Sequence, residues 1–250
     1  MKDELLYGIN AVQEALRGKR RAFELFLARD LHDRRLEKLL ADAADKEVPV
    51  HRRNKADLTR LCGTEHHQGV ALRVEGFPYA ELDQFLADDR NRDGNSLVVA
   101  LDSIQDPHNL GALIRSAACA GADAVLIPKD RAARVTATVE RSSAGATETI
   151  SIVQVTNLAQ TLAELKKDGY WIYGTADDAA LSLYEQPFSG KIVIVIGAEG
   201  EGMRPLVRKQ CDFLVSIPLQ GGVNSLNASV AGGIVLFEIV RQRLLSAAGR

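Results

Sequence analysis

The chain has no run of about 18 apolar residues, so no segment is expected to span a membrane. Its opening, MKDELLYGIN, carries acids early and has no apolar core ending in a small-residue cleavage site. No secretory leader is therefore expected, and the expected location is cytoplasmic. Cysteine is scarce. Cys62, Cys119 and Cys211 lie far apart, which excludes a disulfide framework and a CxxC metal site and leaves them as small buried hydrophobes. The five histidines (His32, His51, His66, His67, His108) lack HExxH or any comparable ligand spacing, so no metal is expected. GxxxxGK[ST] is missing, which removes NTP hydrolysis, and Ser225 has no GxSxG elbow, which disfavours a hydrolase. A nicotinamide-dependent oxidoreductase is disfavoured too, because GAEGEG at 197–202 is not GxGxxG and comes late in the chain. Charge of one sign is also lacking: 31 Lys and Arg face 33 Asp and Glu, a net −2 that does not announce a nucleic-acid binder.

The charge distribution says more. Residues 1–77 hold 15 basic against 13 acidic residues, and the remainder 16 against 20. Arg17, Lys19, Arg20 and Arg21 cluster, as do Arg52, Arg53 and Lys55. Such patches suit either phosphate contacts or a solvated surface.

Hydrophobic periodicity predicts a small α/β domain over 1–77: helix 7–16, strand 23–28, helix 33–46, strand 48–52, helix 55–61 and strand 69–74. Residues 78–95, with a short helix at 79–88 and the polar DDRNRDGNS, read as a linker. From 96 to 250 strands and helices alternate more strictly. Unbroken runs such as LVVAL and IVIVI indicate a parallel sheet covered on both faces, followed by a long helix over 225–245.

Three polar loops follow strands in this second domain, on the sheet edge where open α/β folds bind ligands. They are DSIQDPHNLG (102–111), leading to a helix with Arg115; IGAEGEGM (196–203); and IPLQGGVNSLNAS (217–229). Each has a plain structural reading. Asp106-Pro107 starts a turn, Asn109 caps a helix, glycines 197, 200 and 202 supply positive φ, and Ser225 and Asn227 satisfy amides at a helix start.

The segments DPHNLGALIRSA, IVIVIGAEGEGM and IPLQGGVNSLNASVAGGIVLFE together resemble the three signature motifs of the SpoU (TrmH) class of RNA 2′-O-methyltransferases, in the right order. YGINAVQEAL and EHHQGVAL resemble the L7Ae-like substrate-binding domain of a subfamily that methylates a guanosine in the P-site loop of large-subunit rRNA. The resemblance implies a C-terminal trefoil knot, which connection rules alone would argue against, and a homodimer. It also implies S-adenosyl-L-methionine as cofactor, S-adenosyl-L-homocysteine as product, and no metal.

By the same resemblance the cofactor lies at Thr175, Ala176, Gly197, Ile217, Leu219 and Leu226, and the catalytic cluster is Asn109, Arg115, Glu199, Ser225 and Asn227. Arg115 is expected to hold an RNA phosphate and stabilise a developing alkoxide, since a guanidinium does not deprotonate. Residues 134–147, with Arg141 and Ser142, are a further candidate for RNA contact. The implied partner is 23S rRNA or a large-subunit assembly intermediate. Two alternatives stand beside it: methylation of tRNA, and a non-catalytic rRNA-binding assembly factor.

Overall fold

The computed structural model describes residues 3–18, 20–29, 34–90, 94–222 and 225–248. Lys19 of the basic cluster, Asp33 at an expected helix start, 91–93 of the expected linker, and Val223 and Asn224 of the third loop lie outside them. The chain forms two units, 1–78 with 135–138, and 79–134 with 139–250.

In the first unit the order is β1 (Asp3–Tyr7), α1 (Ile9–Arg17), β2 (Ala22–Ala28), α2 (Arg34–Asp45), β3 (Val50–Arg53), α3 (Lys55–Cys62) and β4 (Val70–Glu75). β1 is absent from the sequence expectation, and the helix expected from residue 7 starts at Ile9. Gly8, at φ 91°, turns the chain between the two, and its N–H donates to the Val70 carbonyl at 3.1 Å. The sheet order is β1-β4-β2-β3, with only β2 and β3 parallel. One sheet face packs Leu25, Leu27, Val70 and Leu72 against Val12, Leu16 and Leu39 of α1 and α2. The other packs Phe26 and Ala71 under Leu58 of α3. Each buried leucine, valine or phenylalanine among them contributes about 1.5–3 kcal/mol.

His67 is fully buried in this unit. Its Nδ1 accepts the Gly69 N–H at 2.9 Å, and its Nε2 lies 3.1 Å from Thr59 Oγ1, whose hydroxyl donates to the Lys55 carbonyl. The ring is therefore neutral, with its hydrogen on Nε2. Burial, then the Lys55 charge, hold its pKa below the ordinary 6.5. On acidification the unfolded chain takes up this proton first, so the stability contributed above pH 6.5 is lost as pH falls below that value. Urea unfolding should lose more stability between about pH 7.5 and about pH 5.5 in the wild type than in His67→Gln. Equal losses would remove His67 as the cause.

The second unit runs α4 (Leu82–Arg90), β5 (Ser96–Asp102), α5 (Pro107–Cys119), β6 (Ala124–Pro128), α6 (Ala137–Ser142), β7 (Ser151–Val155), α7 (Leu158–Lys167), β8 (Trp171–Thr175), β9 (Leu181–Ser182), β10 (Lys191–Gly197), α8 (Pro205–Arg208), β11 (Phe213–Ser216) and α9 (Ala228–Ala248). The short helix expected at 79–88 within the linker segment is α4, and its Phe85 and Leu86 are buried in this unit's core. The seven strands are all parallel, in the order β7-β6-β5-β10-β8-β11-β9. Every residue of the central β5 is buried, as an unbroken apolar strand covered on both faces requires. One face packs Val98, Ala100, Val193 and Val195 beneath Leu86, Leu162, Leu165 and Val207 of α4, α7 and α8. On α9, Gly232 lets the helix approach closely: a Cβ there would lie 2.3 Å from Leu113 of α5 and 2.8 Å from Ile196 of β10.

Helix starts follow local chemistry. α5 begins at Pro107, with Asp106 and not Asn109 as its cap, because Asp106 accepts the His108 N–H at 3.0 Å and Pro107 needs no partner at the first helical position. α9 begins at Ala228, not at Ser225, because Asn227 is the cap: its Oδ1 accepts the N–H groups of Ser229 (3.0 Å) and Val230 (3.3 Å). Asn157 caps α7 in the same way, through Gln160 N–H at 3.2 Å. Cys119 is exposed, which corrects its reading as a buried hydrophobe. Cys62 and Cys211 are half-buried, and burial pushes the Cys211 thiol up to about 12, so it stays protonated and unreactive at neutral pH.

Candidate active site

Parallel strands bring their C-terminal ends to one edge. Gly197 at the end of β10 stands opposite Asp102 at the end of β5, and Thr175 at the end of β8 opposite Val215 of β11. The three polar loops leave this edge, and a cavity of about 410 Å³ opens between the second and third of them and the 175–177 turn. That volume is within the ~300–1,000 Å³ usual for small-molecule sites.

All six residues expected to hold a cofactor line this one cavity: Thr175, Ala176, Gly197, Ile217, Leu219 and Leu226. Thr175 Oγ1 donates to the Val195 carbonyl at 3.2 Å, which ties the end of β8 to β10. Ala176 N–H donates to the Val215 carbonyl at 3.0 Å, tying the β8 exit to β11. The 197–203 loop forms the rest. Ala198 N–H donates to the Gly202 carbonyl (3.1 Å) and Gly202 N–H to the Ala198 carbonyl (2.9 Å), leaving Glu199, Gly200 and Glu201 at the tip.

The three glycines of this loop differ in purpose. Gly200 (φ 78°) and Gly202 (φ 66°) are left-handed, as expected from the sequence. Gly197 is not. It is required by space, because a Cβ there would lie 2.4–2.7 Å from the backbone of Gly202 and Met203.

At the cavity rim, three of the five expected catalytic residues are joined directly. Glu199 Oε1 accepts from Asn109 Nδ2 (3.0 Å), Asn227 Nδ2 (2.5 Å) and Ala228 N–H (3.0 Å). Asn227 Nδ2 also donates to Asn109 Oδ1 at 3.0 Å. One residue from each loop thus meets the other two, and the carboxylate lies at the positive end of α9. Ser225 lines the cavity, exposed beside this cluster. Arg115 makes no hydrogen bond or ion pair with it, or elsewhere among the described residues. It lies six residues beyond Asn109 on α5, about 9 Å along the helix and 120° around it, and is exposed.

Sequence reasoning missed Asp177 and Arg208, which also line the cavity. Arg208 Nη2 donates to both carboxylate oxygens of Asp178 (2.9 and 3.0 Å), a pairing across 30 positions with no local sequence signal. Among the described residues no group of three or more His, Cys, Asp or Glu is placed to hold a metal, and no helix is long and apolar enough to cross a membrane.

Comparison with known proteins supplies the context for this geometry. The SpoU rRNA Methylase family matches residues 96–237, and the RNA 2′-O ribose methyltransferase substrate binding family matches residues 5–80. The 23S rRNA (guanosine-2′-O-)-methyltransferase RlmB of Ralstonia nicotianae is 46% identical over 244 residues, covering 97% of each chain. The RlmB of Escherichia coli K12 is 44% identical over 242 residues, covering 96% of this chain and 99% of its own. Among solved structures, the SpoU methyltransferase AviRb of Streptomyces viridochromogenes, in complex with the cofactor AdoMet, aligns with a TM-score of 0.62 at 26% identity, over 97% of this chain and 91% of that one. The chain belongs to the SpoU rRNA methylase family.

Proposed function

We propose that this protein transfers a methyl group from S-adenosyl-L-methionine to the ribose 2′-hydroxyl of a guanosine in 23S rRNA, in the P-site loop of the large subunit. The observation that carries the reading is the hydrogen-bonded set Asn109–Glu199–Asn227 at the rim of a cavity lined by Ile217, Leu219 and Leu226 and by the glycine-rich 197–203 loop. The near-full-length likeness to RlmB enzymes selects the substrate.

The cavity fits the cofactor. Ile217, Leu219 and Leu226 suit the faces of an adenine, and the exposed backbone of the 197–203 and 175–176 turns suits its polar edges. When bound, S-adenosyl-L-methionine supplies an electrophilic methyl on a sulfonium, and no metal is needed to activate it. Asn109 and Asn227 orient the ribose at the rim, and Glu199 fixes both amides. Ser225 adds a hydroxyl on the same side. Arg115, uncommitted to any described residue, holds a backbone phosphate and stabilises the alkoxide that develops as the 2′-hydroxyl loses its proton to that phosphate or to water. The first unit, with its Arg52, Arg53 and Lys55 patch, binds the rRNA.

The domains by this reading are 1–77 for RNA binding and a methyltransferase domain from 96, with α4 carried on the latter. The second domain is knotted by its C-terminal segment. The protein is a cytoplasmic homodimer. Val230 (50% exposed), Phe237 (51%) and Leu244 (65%) recur every seven residues along α9, an apolar stripe that a second copy covers.

The test is incubation of unmethylated 23S rRNA with the protein and S-adenosyl-L-methionine, followed by nucleoside mass spectrometry, with sedimentation of the same preparation. New 2′-O-methylguanosine from a dimer is expected. A different 2′-O-methylated base would overturn the guanosine assignment, methylation of tRNA alone would overturn the substrate, and a monomer would overturn the dimer.

A further inference from the structure

The two loops that contribute Asn109 and Glu199 are tied together at their roots by a single buried carboxylate. Asp102 is the last residue of β5 and is 0% exposed. Its Oδ2 accepts the Arg204 backbone N–H at 2.7 Å, and its Oδ1 accepts Arg204 Nε–H at 2.6 Å. Two oxygens of one rigid group therefore hold two atoms of one residue, which fixes the place and the orientation of Arg204 together. In the sheet register Asp102 also stands opposite Gly197. The 197–203 loop thus leaves the sheet beside Asp102 and ends on its side chain. Ala198 and Gly202 bridge within this ring, and Glu199 is held at the tip.

Asp102 governs the other loop as well. The next residue, Ser103, has φ 64°, a left-handed backbone that a non-glycine residue adopts only under constraint. From that bend the chain reaches the Asp106 cap and Asn109. A displacement at Asp102 therefore moves both partners of the Asn109–Glu199 hydrogen bond.

We propose that Asp102 is a positioning residue for methyl transfer: through Arg204 it closes the 197–203 loop and sets Glu199 against Asn109 and Asn227. The proposal rests on the function proposed above. A carboxylate is required because every group facing it is a donor: the Arg204 N–H, Arg204 Nε–H and, at 3.4 Å from Oδ1, the Ser103 hydroxyl. In Asp102→Asn one end of the side chain is itself a donor, so one of the two bonds is lost and Arg204 is released. A small misplacement at the reacting centre is then expected to lower kcat about 10- to 100-fold.

The test compares kcat and cofactor KM for wild type, Asp102→Asn, Glu199→Gln and the double variant on 23S rRNA. If Asp102 acts by placing Glu199, the two losses overlap, and the double variant is within a few-fold of the weaker single one. A kcat for Asp102→Asn within about twofold of wild type, or a double variant whose loss is the product of the two, would overturn the proposal. Arg204→Gln, which keeps the backbone bond to Asp102, gives the same overlap with a smaller loss, and it decides the matter by the same criteria should Asp102→Asn fail to fold. An inactive wild type would overturn the functional reading and the proposal with it, whereas an active wild type with an equally active Asp102→Asn overturns only the proposal.

Discussion

Glu199→Ala is expected to lower kcat for rRNA methylation about a hundredfold while changing the cofactor KM much less. One oxygen of Glu199 is the common acceptor for Asn109 Nδ2, Asn227 Nδ2 and the Ala228 N–H. Without it the two amides lose the group that aligns them on the ribose. The fold does not depend on this carboxylate. Asn227 keeps its cap on α9 through Oδ1, and water reaches the freed donors at the exposed rim, so stability should fall by only about 1 kcal/mol. Glu199→Gln retains an acceptor oxygen and should lose less activity than Glu199→Ala. Steady-state kinetics with saturating rRNA checks this. A kcat for Glu199→Ala within about threefold of wild type would remove Glu199 from the transfer step.

What could be read from the sequence is what local chemistry decides. Asn157 and Gly169 bound α7, because capping and a left-handed stop act within a few residues. LVVAL and IVIVI declare buried parallel strands because every residue is apolar, and β5 and β10 are indeed neighbours at the sheet centre. β1 stayed hidden because DELLY is a partly exposed edge strand whose leucines also fit a helix start. Helices α6 and α8, of six and four residues, are too short to show a period, and the two-residue β9 has none.

At the site the same division holds. The three loops were visible as Gly- and Asn-rich strand exits, and their motifs identified the family. The meeting of Asn109, Glu199 and Asn227 spans 90 and 118 positions, and the Asp102–Arg204 tie spans 102. Such pairings come from the sheet order, in which β10 is inserted between β5 and β8, and no local pattern encodes that order. Arg115 shows the limit from the other side, since it belongs to the first motif by sequence yet makes no hydrogen bond or ion pair with the cluster among the described residues.

Gly197→Ala should weaken cofactor binding at least about a hundredfold, a loss of about 2.7 kcal/mol. The added Cβ would sit 2.4 Å from the Gly202 carbonyl carbon, 2.5 Å from Met203 N and 2.7 Å from the Gly202 oxygen. All three are backbone atoms, so no side-chain rotation relieves the contact, and the paired Ala198 and Gly202 hydrogen bonds must open. The cavity floor then moves, and with it the backbone groups that serve the cofactor's polar edges. Gly200→Ala provides the contrast. Its Cβ meets nothing within 4 Å, and the cost is that of a left-handed alanine, about 1 kcal/mol, with a correspondingly smaller effect on binding. Titration calorimetry with S-adenosyl-L-homocysteine separates the two. Binding by Gly197→Ala within about fivefold of wild type, or a larger loss in Gly200→Ala than in Gly197→Ala, would show that close packing of the 197–203 loop does not shape the site.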